Sequence, residues 1–167
     1  GAEYIIGKLP EGGEVAIIEG KSGNASGEFR RQGATEAFKA DSKFKLVASQ
    51  PADWDRSKAL DVAANLIQKY PNLKAIYACN DTMALGAVQA VANAGKTGQI
   101  LVVGTDGAPE ARTSIDEGKL NATVAQDPAM IGATSVKILI EAIKDKPQIS
   151  PDIEAKEVPV ESNLISK

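Results

Sequence analysis

Val15-Ala-Ile-Ile-Glu19 runs through the loop Gly20-Lys-Ser-Gly-Asn-Ala-Ser-Gly27 into a stretch, 26 to 40, whose apolar positions Phe29, Ala34, Ala37 and Phe38 fall near helical spacing. A short apolar run without polar alternation is the pattern of a strand covered on both faces. The same join recurs four times. Leu46-Val-Ala-Ser49 leads to Gln50-Pro-Ala-Asp-Trp54, and Ala75-Ile-Tyr-Ala78 leads to Asn80-Asp81. Leu101-Val-Val103 leads to Thr105-Asp106-Gly107, and Ala122-Thr-Val-Ala125 leads to Gln126. Each run is followed by a helix-like segment. This βα alternation predicts an α/β fold, a flavodoxin-like doubly wound parallel sheet with helices on both faces. Open sheets of this kind bind ligands outside the carboxyl ends of their strands. The chain therefore places polar and aromatic residues where such a fold places its ligand.

Local signals bound the helices. The stretch 55 to 69 carries Ala59, Leu60, Ala63, Leu66 and Ile67 on one face. Asp81 or Thr82 is expected to cap a helix reaching Ala92, with Gly95 just beyond its end. Pro109 and Pro128 suit the first turns of two later helices. The second of these carries Ile131, Val136, Ile138, Leu139 and Ile143. The stretch 144 to 154, with Pro147 and Pro151, reads as a surface loop. Val158-Pro-Val160 is expected as an edge strand, where proline is tolerated. The start, Gly1-Ala2-Glu3, opens on a helix and shows no leader pattern.

Composition narrows the function. The chain has 167 residues, 43% hydrophobic and 25% charged, with a net charge of -3. That length fits one domain. No basic stripe is available to neutralise phosphates, which argues against nucleic acid. Histidine is absent, so the commonest general base and the commonest metal ligand are missing together. The single cysteine, Cys79, ends an apolar run and reads as a small buried residue. No stretch approaches the ~20 apolar residues of a membrane span. No cofactor or metal is expected. Catalysis is not expected either.

Five side chains at the strand ends are candidate ligand contacts. Arg30 offers a planar five-donor head that binds adjacent hydroxyls or a carboxylate; the alternative is a surface ion pair. Trp54, the only tryptophan, lies in a polar loop, which suits stacking on the C–H face of a sugar or on another flat ligand; the alternative is core packing. Asn80 offers donor and acceptor, and Asp106 offers strong acceptors; helix capping is the alternative. Gln126 closes the set. The loop 20–27 matches neither the P-loop nor the Gly-x-Gly-x-x-Gly pattern, so a phosphate cradle competes with an ordinary turn. Asp53, Asp55, Asp81 and Asp106 are the acidic residues from which a hydrolytic pair or a magnesium site would be drawn, but no spacing marks a proton donor.

Five strings then identify a family resemblance. Gly12-Gly-Glu-Val-Ala-Ile-Ile-Glu-Gly20, Ser49-Gln-Pro-Ala-Asp-Trp-Asp-Arg56, Ala78-Cys-Asn-Asp-Thr-Met-Ala-Leu-Gly86, Val103-Gly-Thr-Asp-Gly107 and Ala122-Thr-Val-Ala-Gln126 resemble periplasmic sugar-binding proteins of the ribose- and allose-binding type. In that family two flavodoxin-like lobes close over a monosaccharide and deliver it to a membrane ABC transporter. The resemblance implies hydroxyl contacts from Arg30, which stands in an Arg-x-x-Gly pattern with Gly33. It implies Trp54 stacked on the sugar ring, Asn80 and Asp106 around the hydroxyls, and Gln126 at the hinge. It covers the second lobe alone, which implies a fragment or an engineered half with weak or undetectable binding of its own. Residues 1–125 would form the sugar-binding lobe, 126–145 a hinge-crossing segment and helix, and 146–167 a tail. The partners implied are a monosaccharide, a transporter permease, and either the missing first lobe or a second copy of the chain. The location implied is the periplasm. The effector-binding core of a sugar-responsive repressor shares this fold and is the alternative, although no helix-turn-helix is present.

Overall fold

The computed structural model describes residues 1–145 and 157–167. In chain order the elements are α1 (Ala2–Lys8), β1 (Gly13–Glu19), α2 (Ala25–Ala40), β2 (Phe44–Pro51), α3 (Arg56–Lys69) and β3 (Leu73–Ala78). They continue with α4 (Asp81–Asn93), β4 (Leu101–Asp106), α5 (Pro109–Asp116), β5 (Ala122–Ala125), α6 (Pro128–Asp145) and β6 (Asn163–Ser166). The strand order is β2-β1-β3-β4-β5-β6, and the pairs from β2 through β5 are parallel. The first five follow the flavodoxin-like order, as the βα alternation predicts.

Burial follows from this order. β1, β3 and β4 are central and buried over most of their length, whereas the edge strand β2 is mostly half-exposed. The chain leaves β1 in one direction to form β2, then returns past β1 to form β3, β4 and β5. Right-handed crossovers then put α2 on one face and α3, α4 and α5 on the other. The contacts agree, because α1 touches α2 while α3, α4 and α5 touch in succession. Ile17, Ile18, Phe38, Leu66, Ile76, Met83 and Leu120 are among the large side chains fully enclosed between the layers.

Two expectations need correction. Phe29 does not join the core and is 72% exposed. The buried residues of α2 are Gly27, Ala34 and Phe38. Phe29 lies five residues before Ala34, about 140° around the helix at ~100° per residue. The second correction concerns the tail. Residues 157–162 contain no strand, so Val158-Pro-Val160 is not the edge strand; that is Asn163–Ser166. Pro159 has no N–H to give a ladder, whereas the later segment has its full set and packs Ile165 against the core. Most of the loop expected over 144–154 lies outside the described residues.

The chain divides into two compact units. The first comprises Gly1–Ala125 with Leu164–Lys167, and the second comprises Gln126–Asn163. In the second, α6 opens at Pro128 as its proline predicts, with Asp127 accepting a hydrogen bond from the Met130 N–H at 2.9 Å. Its apolar residues are exposed, Val136 at 57%, Leu139 at 59% and Ile143 at 65%.

The packing of α3 on α4 has a direct test. A Cβ at Gly86 would lie 2.3 Å from the Arg56 carbonyl oxygen, a backbone atom that cannot move aside, while Gly33 on α2 has open space. Gly86→Ala is expected to destabilise the chain by about 1–3 kcal/mol, the cost of overpacking. Gly33→Ala is expected to stabilise it by about 0.5–1 kcal/mol. Urea unfolding midpoints that move the same way in both variants would contradict this packing.

Cys79, directly after β3, gives a second test. It is free and fully enclosed, and burial pushes its thiol up to about 11, against about 8.5 in an unfolded chain. The native state then keeps a proton that the unfolded chain has lost, so this residue's contribution to stability falls as pH rises from about 8.5 towards 11. The expected result is a steeper alkaline loss of stability than in Cys79→Ala. At pH 8 an aromatic disulfide reagent should label the thiol only after urea is added. Immediate stoichiometric labelling of the folded chain would contradict the burial.

Candidate functional site

The strand order reverses at β1, from which the chain goes to β2 on one side and β3 on the other. A crevice opens at the carboxyl ends of strands on either side of such a reversal. Every candidate contact in the first unit follows or ends a strand here.

Arg30 sits four residues before Ala34 and eight before Phe38, on the buried face of α2. Its head is thereby turned towards the strand ends. Nη1 donates to the Cys79 carbonyl oxygen at 2.8 Å, and Nη2 pairs with Asp106 Oδ1 at 2.9 Å. The two side chains are 19% and 39% exposed. The ion-pair and ligand alternatives for Arg30 therefore coincide, because its acidic partner is itself a candidate contact.

Asp106 ends β4 at φ 123°. A non-glycine residue there is strained, and such strain persists only where the surroundings over-determine it. Three hydrogen bonds fix the loop that follows. The Gly107 N–H donates to Thr123 Oγ1 at 3.2 Å, and the Ala108 N–H donates to Asp81 Oδ2 at 2.7 Å. Arg112 Nε donates to the Gly107 carbonyl at 2.8 Å.

Trp54 follows β2 in a tight turn. Asp53 and Trp54 both have positive φ, at 54° and 64°, and the Asp55 N–H bonds the Ala52 carbonyl at 2.8 Å. The half-buried indole rests on the glycine loop. A Cβ at Gly20 would come within 2.2 Å of the indole ring, and one at Gly27 within 3.0 Å. This close approach accounts for Gly20 and Gly27 without a phosphate. The glycines make a seat for the tryptophan.

Asn80, rather than Asp81 or Thr82, takes the capping role. Asn80 is the N-cap of α4, with Oδ1 accepting from the Met83 N–H at 2.9 Å. That leaves its NH₂ group as a donor for a ligand. Asp81, expected as a cap, is 1% exposed and ties α4 to β5 and to the loop after β4. Among the other acidic residues, Asp55 caps α3 and Asp53 pairs with Lys58 at 2.8 Å. Lys58 holds the Asp53 carboxyl below the usual range. Among the described residues no cluster of three or more acidic or sulfur ligands could hold a metal.

Four of the five candidates, Arg30, Trp54, Asn80 and Asp106, thus stand at one end of the sheet in the first unit. Gln126 is exposed and opens the second unit, directly after β5. Asp81 and Thr123 are the site-supporting residues that strand-end reasoning misses. Their signal is a hydroxyl inside a buried apolar strand, which must find a partner.

The sequence profile of the periplasmic binding protein domain matches residues 1–147. The D-allose-binding periplasmic protein of Escherichia coli is 63% identical over 168 aligned positions that cover the whole of this chain and 54% of that protein. The ribose import binding protein of the same organism is 40% identical across 99% of this chain and 53% of its own length. A periplasmic solute-binding protein of an ABC transporter from Actinobacillus succinogenes, solved with bound D-allose, superposes with a TM-score of 0.85 at 36% identity, covering 99% of this chain and 57% of the other. The chain spans about half the length of the curated relatives it matches. No described helix is long and apolar enough to cross a membrane. With a flavodoxin-order sheet aligned along its whole length to such proteins, the chain belongs to the periplasmic binding protein family, as one lobe of the type I fold.

Proposed function

We propose that this chain forms one wall of a cleft that binds a neutral monosaccharide, an aldohexose such as allose or a ribose, for ABC-type uptake across the periplasm. The observation that carries the reading is the Arg30–Asp106 pair at the crevice. The two charges offset each other, so the wall favours a neutral ligand, yet the pair leaves unused donors on the guanidinium and a second oxygen on the carboxylate. Adjacent hydroxyls present donors and acceptors together, and charge-assisted bonds to them are the stronger kind. Asn80 adds donors, and the Trp54 indole supplies an apolar face for the C–H side of a sugar ring.

The reading needs a second wall. Hydroxyls bonded from one side stay wet on the other, and exchanging water for protein then gains little. In a two-lobed protein the other lobe would close over the sugar and cover α6, and the closed form would dock on the permease. Without that lobe, a second copy is the partner that the apolar face of α6 would recruit.

Titration calorimetry of this chain with allose and ribose is expected to show affinity no better than about millimolar, a gain of no more than ~4 kcal/mol. Micromolar or tighter binding by the chain alone would contradict the one-wall reading. Sedimentation velocity is expected to show association that grows with concentration. A strict monomer would remove pairing through α6.

A further inference from the structure

We infer that Asp81 and Thr123 form a buried positioning clamp that holds the loop after β4 and so presents Asp106 to Arg30 and to the ligand. The inference rests on the reading of Asp106 as a sugar contact.

Asp81 is 1% exposed and Thr123 is fully enclosed, so neither reaches a ligand. Thr123 Oγ1 donates to Asp81 Oδ1 at 2.6 Å and accepts from the Gly107 N–H at 3.2 Å. Asp81 Oδ2 accepts from the Ala108 N–H at 2.7 Å. The two N–H groups directly after Asp106 are thus held by two side chains from α4 and β5. The fold makes room for this. A Cβ at Gly104, in β4, would lie 2.3 Å from Asp81 Oδ1, so only glycine lets the carboxylate enter. Asp106 itself sits at φ 123°, which its own preferences do not supply. Helix capping explains none of this, because Asn80 already caps α4. Burial pushes the Asp81 carboxyl up, and the Thr123 and Ala108 hydrogen bonds oppose that shift.

The test uses the whole chain and reads Arg30 directly by NMR. Held between the Cys79 carbonyl and Asp106, the Arg30 guanidinium should give separate, slowly averaging Nη signals. In Thr123→Val, with the fold verified by circular dichroism, those signals should collapse to an average. The Ala108 amide should also exchange at least about tenfold faster. Thr123→Ser, which keeps the hydroxyl, should restore both. A folded Thr123→Val with Arg30 and Ala108 unchanged would overturn the clamp. Asp81→Asn, which keeps shape but not charge, should shift the same two readouts if Thr123→Val does not fold. The unmutated chain is a check free of folding effects. Its Gly107 and Ala108 amides should exchange at least about tenfold more slowly than an exposed loop amide such as that of Lys21. Unprotected exchange there overturns the proposal. Allose titration separates the two ideas: if Arg30 order depends on Thr123 while no sugar shifts any signal, the clamp stands and the ligand reading falls.

Discussion

Arg30 reaches from α2 across the end of β3, giving one N–H to the Cys79 carbonyl and another to Asp106 at the end of β4. The site wall depends on that reach. It spans the exposed ends of the central parallel strands, where carbonyl groups run out of ladder partners. It also brings opposite charges together at partial exposure, where attraction is stronger than in open water. Arg30 can do this because Ala34 and Phe38, on the same helix face, are buried and fix the helix over β1 and β2. The core thus aims a single guanidinium.

Strain gathers at the same end of the sheet. Among the described residues, the non-glycine positions with positive φ are Asp53, Trp54 and Asp106. Each such position costs on the order of 1–3 kcal/mol and persists only when its surroundings enforce it. The enforcement is visible. Gly20 and Gly27 seat the indole, Asp55 starts α3 immediately after the turn, and the Asp81–Thr123 pair holds the N–H groups behind Asp106. The aromatic face and the carboxylate are therefore set before any ligand arrives, which lowers the ordering cost of binding.

The parts of this arrangement that depend on period and position were legible in the sequence. Apolar runs ending on polar residues gave the strand ends, and Gly95, Pro109 and Pro128 marked helix boundaries where the structure has them. What depends on three-dimensional neighbours was not legible. Nothing in the order Asn80-Asp81 tells which residue caps the helix, because the choice is made by Thr123 and Ala108, far away in the chain. The purpose of Gly20 and Gly27 waits on Trp54 from another loop. Phe29 looked apolar enough for the core, yet helix phase sends it to solvent. The edge strand moved beyond Val158-Pro-Val160 to a segment with a complete set of N–H donors.

The account stands on the crevice being a sugar-binding wall. The most direct measurement is an NMR titration of this chain with allose, following backbone amides, the Trp54 indole N–H, the Arg30 side-chain N–H and the Asn80 amide. Saturable shifts confined to those groups and to the amides after Asp106 are the result the account predicts. Shifts that centre on another face of the chain, or none up to the solubility of the sugar, would contradict it.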